Sequence, residues 1–586
     1  MADGQSVYIA ARSLANDIAF CSAERMVDQS PFLRRLNNEW GSNIILLHLA
    51  KSMWFPANLM ILRLLVASTL AQNFGETAPF IVQYPSEFEP SFLFKLVPKL
   101  KVHFYRTYRK KFNRHQVFIV LWLLRHTFRK MKWRLESIAG KTRELIDTKP
   151  DRPSLMLLQE DDISLDRSYR TQPHWLFPDY VPPFRTLILQ TSSLQKLLSQ
   201  PQELQKQSVF FLSFRDWSLA LRGQRVLPVQ ERLRKDLRTC LFRTFFGRSP
   251  EIFASSALIL LFKIAGELAA FCQRANIRAF MTCENYMKHA DAMQLIAPSL
   301  GIRTHSYQYS NMYAVSSIMM TTADIMVTFS KMYQRRWTYK GVTPKEFVNA
   351  GYPFSGSFKY LQERAIQWRT QLTKAGASFI ISYFDESVQT DKYGCIKDED
   401  HLSEISELLK LVIHNPSFGL IIKSQFKRNS PRCFGKIAKE RTAAEATGRY
   451  MELVYGTHRN IIFPAEAALS SDIVIGHMVG ATAGLEAAVA GVRCILLNPY
   501  GIKGDNDALY AQADIVYPSL GAALEAIHDY RRGMPRSAHL GDWSPIIDHF
   551  DPFRDGLSGH RLRTLLEQAV LRGPDLKAEI FVGPKK

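Results

Sequence analysis

Between residues 251 and 498 short apolar runs alternate with longer stretches of helical periodicity, and that alternation leaves few folds open. EIFASSALILLFKIAGELAAFCQRANI reads as a long helix and RAFMTCEN as a strand ending in a polar loop. YMKHADAMQLIAPSLGI reads as a helix stopped near Gly301, RTHSYQYS and ADIMVTFS as strands, and FVNAGYPFSGS as a strand broken by Gly and Pro. Strand, helix, strand in this order signals a parallel sheet covered by helices. A polar helix, KYLQERAIQWRTQLTKAG, then leads into a second set: ASFIISYFDES, SEISELLKLVIHNP, FGLIIKSQ, AEAALSSD, IVIG, GATAGLEAAVAG and VRCILLN. The expectation is an α/β chain with two such domains, 251–350 and 351–540, facing each other across a cleft. A mixed helical and loop-rich, basic region up to about 250 precedes them, as part of the first domain or inserted before it, and a tail, 541–586, follows.

A chain of 586 residues is too long for one ordinary domain, which agrees with this division. Its seven cysteines, at 21, 240, 272, 283, 395, 433 and 494, form no C-x-x-C pair, so neither a zinc site nor a disulfide framework is expected. No basic segment leads into an apolar one at the N-terminus, and no stretch reaches about 18 uninterrupted apolar residues. The long helix from Glu251 carries Lys263 and Glu267 four apart, as a buried core helix would. These features point to a cytoplasmic protein that is neither secreted nor membrane-spanning.

The net charge of +21 is concentrated: Lys95 to Glu144 holds fifteen Lys or Arg against two Glu. Within it Val117, Val120, Leu121, Leu124, Phe128, Met131 and Leu135 repeat at helical spacing, while Arg125, Arg129, Lys132 and Arg134 lie off that stripe. Such a helix can rest its apolar face in a lipid interface and hold Arg125, Arg129 and Lys132 at anionic headgroups. It can equally pack its stripe on its own domain and leave the charges solvated. No nucleic-acid motif accompanies the charge, so nucleic acid is not an expected partner.

Open parallel sheets bind ligands beyond the carboxyl ends of their strands. In the second domain the residues there are Asp385 and Glu386 after FIISYF, Lys423 after GLII, His477 after IVIG and Asn498 after CILL. Gly476 and Gly480 allow a tight turn, and the helix starting near Ala481 or Thr482 aims unpaired N–H groups and its positive dipole end at the same place, which suits a phosphate. Glu486, one turn further on, is flanked by Gly484, Ala487, Ala488 and Ala490, and ribose hydroxyls would give its carboxylate partners. The alternative is that the glycines serve helix packing and Glu486 pairs with an Arg or a backbone N–H.

Two adjacent Rossmann-like domains, with IIFPAEAALSSDIVIGHMVGATAGLEAAVAGVRCILLNPY in the second, resemble the glycosyltransferases of the GT-B fold. CENYMKHADAMQLIAPSLGIRTHSYQYSNMY and NAGYPFSGSFKYL are similar to bacterial surface-carbohydrate biosynthesis proteins named for a Pro-Phe-Thr-Ser motif, where this chain has Pro353, Phe354, Ser355 and Gly356. The resemblance covers about residues 275 to 565. It implies a nucleotide sugar as donor, held by Lys423, His477, Gly480, Thr482, Glu486 and Asn498, with Glu486 on the ribose. It implies a lipid-linked or polysaccharide acceptor, for lipopolysaccharide or capsule, and no metal or other cofactor, since helix N–H groups and cations such as Lys423 neutralise the departing phosphate. NAGYP is also similar to the polyol-phosphate polymerases of teichoic acid synthesis, which implies a CDP donor as the second reading. Against those enzymes KSQFKR, after GLII, has Lys423, Lys427 and Arg428 but no His. A scaffold of the glycan machinery that has lost its donor is the third.

An inverting transferase also needs a base in the first domain. Glu284, after AFMTC, is the candidate, with His305, after GIRT, as a second site residue. Capping of the next helix by Glu284 and a core role for His305 are the alternatives. Tyr307, Tyr309 and Tyr313 could stack on a sugar or base, or pack between strand and loop. DED at Asp398 to Asp400 reads as a surface loop, and SGHRLRTLLEQAVL as a helix crossing back to the first domain.

Overall fold

The structure, a computed structural model, describes residues 7–54, 57, 61, 80–84, 102–106, 152–159, 166–170, 174–175, 181–190, 208–212, 227–247, 249–312, 316–385, 398–424, 435–454, 461–479 and 481–573. Two short strands, β1 (Phe80–Tyr84) and β2 (Val102–Arg106), pair in parallel. The first large sheet holds β3 (Ser154–Gln159), β4 (Arg185–Gln190), β5 (Val209–Leu212), β6 (Ile277–Thr282), β7 (Arg303–Tyr307), β8 (Ile325–Thr328) and β9 (Glu346–Asn349). The second holds β10 (Phe379–Phe384), β11 (Phe418–Lys423), β12 (Tyr450–Leu453), β13 (Ile473–His477), β14 (Cys494–Leu497) and β15 (Val516–Tyr517). Every pairing in both is parallel. FIISYF and FGLIIK are buried at every position, because a parallel sheet covered on both faces needs continuous apolar runs.

The strand orders, β5-β4-β3-β6-β7-β8-β9 and β12-β11-β10-β13-β14-β15, share one logic. Each chain segment starts in mid-sheet, winds to one edge, then returns to wind the other way. That is the Rossmann winding, and it opens a crevice where direction reverses, between β3 and β6 and between β10 and β13. The expected two-domain α/β fold is therefore present, and three strands of the first sheet come from residues 154–212, ahead of the region where alternation was legible.

One face of the first sheet, through Met156, Leu158 and Phe280, packs into a core shared with the helices Val7–Gln29, Ser249–Arg274 and Lys288–Leu300. Among the described residues the helix Ser249–Arg274 is the one long and apolar enough to cross a membrane, but 61% of its apolar stretch is buried inside the protein. Its Lys263 and Glu267 stand 3.9 Å apart. The opposite face, with Leu155, Met281 and Val327, is packed by Leu562, Leu566 and Ala569 of the helix Ser558–Arg572. The chain thus returns from the second domain to cover the first.

The return is stitched to the junction between domains. Gly351 has φ +85°, and a Cβ there would meet Asp551 Oδ1 at 2.9 Å, so only glycine fits the turn. Ser558 Oγ donates to Gly351 O at 3.3 Å, and Arg561 donates to Ala350 O at 3.2 Å. Among the described residues Cys21, Cys240, Cys272, Cys283 and Cys494 are free thiols.

The N-terminal region is locked to the first domain by a buried ion cluster. Lys51 Nζ reaches Asp291 Oδ1 at 2.6 Å and Asn285 O at 2.5 Å, while His48 Nδ1 lies 2.8 Å from Asp291 Oδ2. Burial alone would raise the pKa of Asp291, but Lys51 and then His48 outweigh it and hold the carboxyl below its ordinary 3.8. A depressed carboxyl stabilises the fold above that ordinary value and loses the contribution as pH falls through the folded one. Lys51→Met leaves the buried carboxylate short of its main partner, so urea unfolding at pH 7 is expected to show a loss of about 3–5 kcal/mol. The gap between variant and parent should close as pH falls below 3.8.

Candidate functional site

The loops that follow β7, β8 and β9 meet the loops that follow β13 and β14, so the two sheets present their carboxyl ends to one another. Asn311 N donates to Thr482 Oγ1 at 2.8 Å, and Asn311 Nδ2 lies 3.4 Å from Ala481 O and 3.1 Å from the Tyr510 hydroxyl. The start of the helix Ala481–Val489, expected to face a phosphate, is therefore seated against the first domain in this arrangement. Gly480 lies outside the described residues.

The crevice of the second sheet holds a polar cluster. Register aligns Tyr383 with Ile475, so His477 and Asp385 stand level, two residues further on. Alternation puts Tyr383 and His477 on the face covered by the helix Asp398–His414. His401 and Glu404, three apart on that helix, share its sheet-facing side. The Tyr383 hydroxyl lies 3.1 Å from His401 Nδ1, 2.7 Å from Glu404 Oε2 and 3.0 Å from His477 Nε2. His477 Nε2 and Glu404 Oε2 are 2.9 Å apart, and His401 Nε2 is 2.5 Å from Asp385 Oδ1. All five residues are buried.

Of this group the sequence pointed to His477 and Asp385 and missed Tyr383, His401 and Glu404. The usable signal was the H-x-x-E spacing on a helix just after a strand end. Asp398 to Asp400 are not a loop but the first turn of the helix that carries the pair, with Glu399 and Asp400 at the surface as expected. Acidic side chains there complement its positive end.

Glu486 is fully buried, and its carboxylate already has two donors. Tyr352 Oη donates to Oε2 at 2.6 Å, and Ala465 N, at the start of the helix Pro464–Leu469, donates to Oε1 at 2.9 Å. Burial, then the neighbouring carboxylate, raises the Tyr352 phenol well above its ordinary pKa, so it stays a donor. In place of the expected ribose hydroxyls, the partners are the domain junction and a backbone N–H. Asn498 orders its own loop, accepting from Ile502 N at 2.7 Å and donating to Ile502 O at 2.9 Å. Lys423 ends β11, buried, and alternation puts it on the face of Ile421, opposite the His401 helix.

In the first domain Glu284 is buried two residues past β6, beside the crevice between β3 and β6. The next helix has Met287 as its N-cap, so Glu284 does not cap it. His305, expected near a strand end, instead lies in the middle of β7, aligned with Met281 and Ile325. Its Nδ1 is 3.3 Å from Phe280 O, and desolvation pushes its pKa down to about 4, so it is a neutral core residue at pH 7. Tyr307 packs in the core with an edge contact to His174 at 5.6 Å, and Tyr309 lies half-buried against the same cluster. Tyr313, Glu386, Lys427, Arg428, Arg125, Arg129 and Lys132 lie outside the described residues.

The sequence matches no family model and no curated protein. Solved structures with a similar course include MnaA of S. aureus with UDP, at 10% identity and TM-score 0.42, covering 74% of this chain and 100% of that one. Anabaena HepE in complex with UDP and glucose has 10% identity and TM-score 0.39, covering 71% and 99%. The wall teichoic acid polymerase TagF has 8% identity and TM-score 0.40, covering 79% and 99%. The architecture of this protein rests on its own strand order and pairing, described above, not on these likenesses.

Glu486→Ala would leave the Tyr352 hydroxyl and the Ala465 N–H without an acceptor in the core. The expected cost is about 2–5 kcal/mol in urea unfolding, with Glu486→Gln costing clearly less. A Glu486→Ala protein as stable as the parent would return this residue to a ligand-facing role.

Proposed function

We propose that this protein is a GT-B-type glycosyltransferase that moves a sugar from a nucleotide donor to a growing surface glycan, a lipopolysaccharide or capsule chain. The observation that supports this best is the meeting of two Rossmann-wound sheets at their carboxyl ends. Each brings its own crevice, so donor and acceptor can be bound from opposite sides and brought together. The donor side takes His477 and Lys423 at strand ends and the helix start at Thr482, which becomes available to a phosphate when Asn311 moves off it. Helix N–H groups and Lys423 then offset charge on the leaving phosphate. Glu284, buried just after β6, would act as the acceptor-side base. The basic stretch with Arg125, Arg129 and Lys132 would hold the enzyme to the cytoplasmic face of the membrane, near a lipid-linked acceptor.

Thermal unfolding with CMP, CDP, UDP or GDP, each against buffer alone, tests the reading. A nucleotide at about 100 times its dissociation constant adds roughly 2.7 kcal/mol, a rise of about 5–11 °C for a domain of roughly 150 to 250 residues. A rise with one nucleotide is expected. CDP would identify a polyol-phosphate transferase instead of a sugar transferase, and no rise with any nucleotide would leave a scaffold.

A further inference from the structure

We infer that His401, Glu404, His477 and Tyr383 form a binding site for one divalent cation of the zinc class. The three groups His401, Glu404 and His477 each offer a ligand atom, and these atoms lie within 4.8 Å of one another. The Tyr383 oxygen stands 2.7–3.1 Å from all three, and supplies the fourth corner. Four donors at about 2.0–2.2 Å from zinc would be about 3.3–3.6 Å apart, so loading needs the edges from the Tyr383 oxygen to widen by about 0.2–0.9 Å.

A further feature points to a cation. His401 turns its other nitrogen, Nε2, to Asp385 Oδ1 at 2.5 Å, the carboxylate–histidine arrangement that orients a metal-bound imidazole. A bound cation takes the lone pairs of His401 Nδ1, Glu404 and His477 Nε2, and the phenol gives up its proton on binding. Burial of all the donors in a parallel-sheet crevice excludes an exposed acidic patch as the explanation. The sequence had led to the opposite expectation, a site without metal, from the absence of a C-x-x-C pair and from the resemblance to GT-B enzymes.

The test uses the full-length protein, stripped with a chelator and reloaded with Zn²⁺ alone, with no nucleotide, so its outcome is separate from that of the glycosyltransferase reading. One zinc per chain is expected after buffer exchange, with a rise in melting temperature of roughly 5–10 °C when zinc is about 100-fold above its dissociation constant. Cobalt in its place should give the visible absorption of a tetrahedral site. His401→Ala with His477→Ala should lose the ion. Glu404→Gln, nearly identical in shape, should lose the cobalt spectrum while melting like the stripped parent, and Asp385→Asn should weaken binding about 10–100-fold. No zinc on the folded parent, or one zinc retained by the double-histidine variant, would overturn the assignment and leave the cluster a hydrogen-bonded core.

Discussion

The relation between the two sheets depends on the satisfaction of one buried charge. Arg336, with no solvent exposure, comes from the first domain, in the helical turn after β8. Its Nε lies 3.2 Å from Asp505 Oδ2, and its other nitrogens reach Asn506 Oδ1 and Met312 O. Removing a guanidinium from water costs several kcal/mol unless its partners are in place. Those partners lie in the loop after β14 and in the segment after β7, so the charge is compatible with a narrow range of domain placements. Asn311 extends the seam: it accepts from Tyr333 Oη at 2.7 Å and from Asn506 Nδ2 at 3.2 Å while touching the helix start at Thr482. A ligand that enters beside Thr482 must therefore replace polar contacts, not merely displace water.

Glu486 belongs to the same system of ties. Its hydrogen bond to Tyr352 joins the second domain's Gly-rich helix to the turn after β9, and Gly351 next door is held by the returning C-terminal segment. Mobility of the junction and integrity of the donor-side helix are thereby coupled through one carboxylate. The carboxylate surrounded by Gly and Ala that the sequence offered as a ligand group accepts, in this fold, from the Tyr352 hydroxyl and the Ala465 N–H.

Much of the architecture was legible because parallel strands are continuous apolar runs. FIISYF, FGLIIK and IVIG could hardly be anything else between helices. The strands β3 to β5 were not legible, since SLMLLQ, RTLILQ and VFFL are short and far apart in the sequence, and four apolar residues alone do not distinguish strand from helix. β12, YMEL, and β15, VY, are brief edge strands with polar or exposed positions. The site was harder to read. His477 could be placed at a strand end, but Tyr383 points sideways from inside its strand and meets His477 across 94 residues of sequence. Tyr352 meets Glu486 across 134. Such pairings are set by register and helix docking, which no local pattern encodes.

The crossing of Ser558–Arg572 onto the first sheet also bears on how the chain is made. Strands β3 to β9 are complete once residue 349 has been synthesised, yet the apolar face with Leu155, Met281 and Val327 lacks this helix until residue 572 emerges. At about 5–20 residues per second, the intervening 223 residues (572 minus 349) take roughly 11 to 45 seconds on the ribosome. During that interval this apolar face is without the helix that covers it in the fold. A helix translated after the second domain is thus the piece that covers this face of the first sheet.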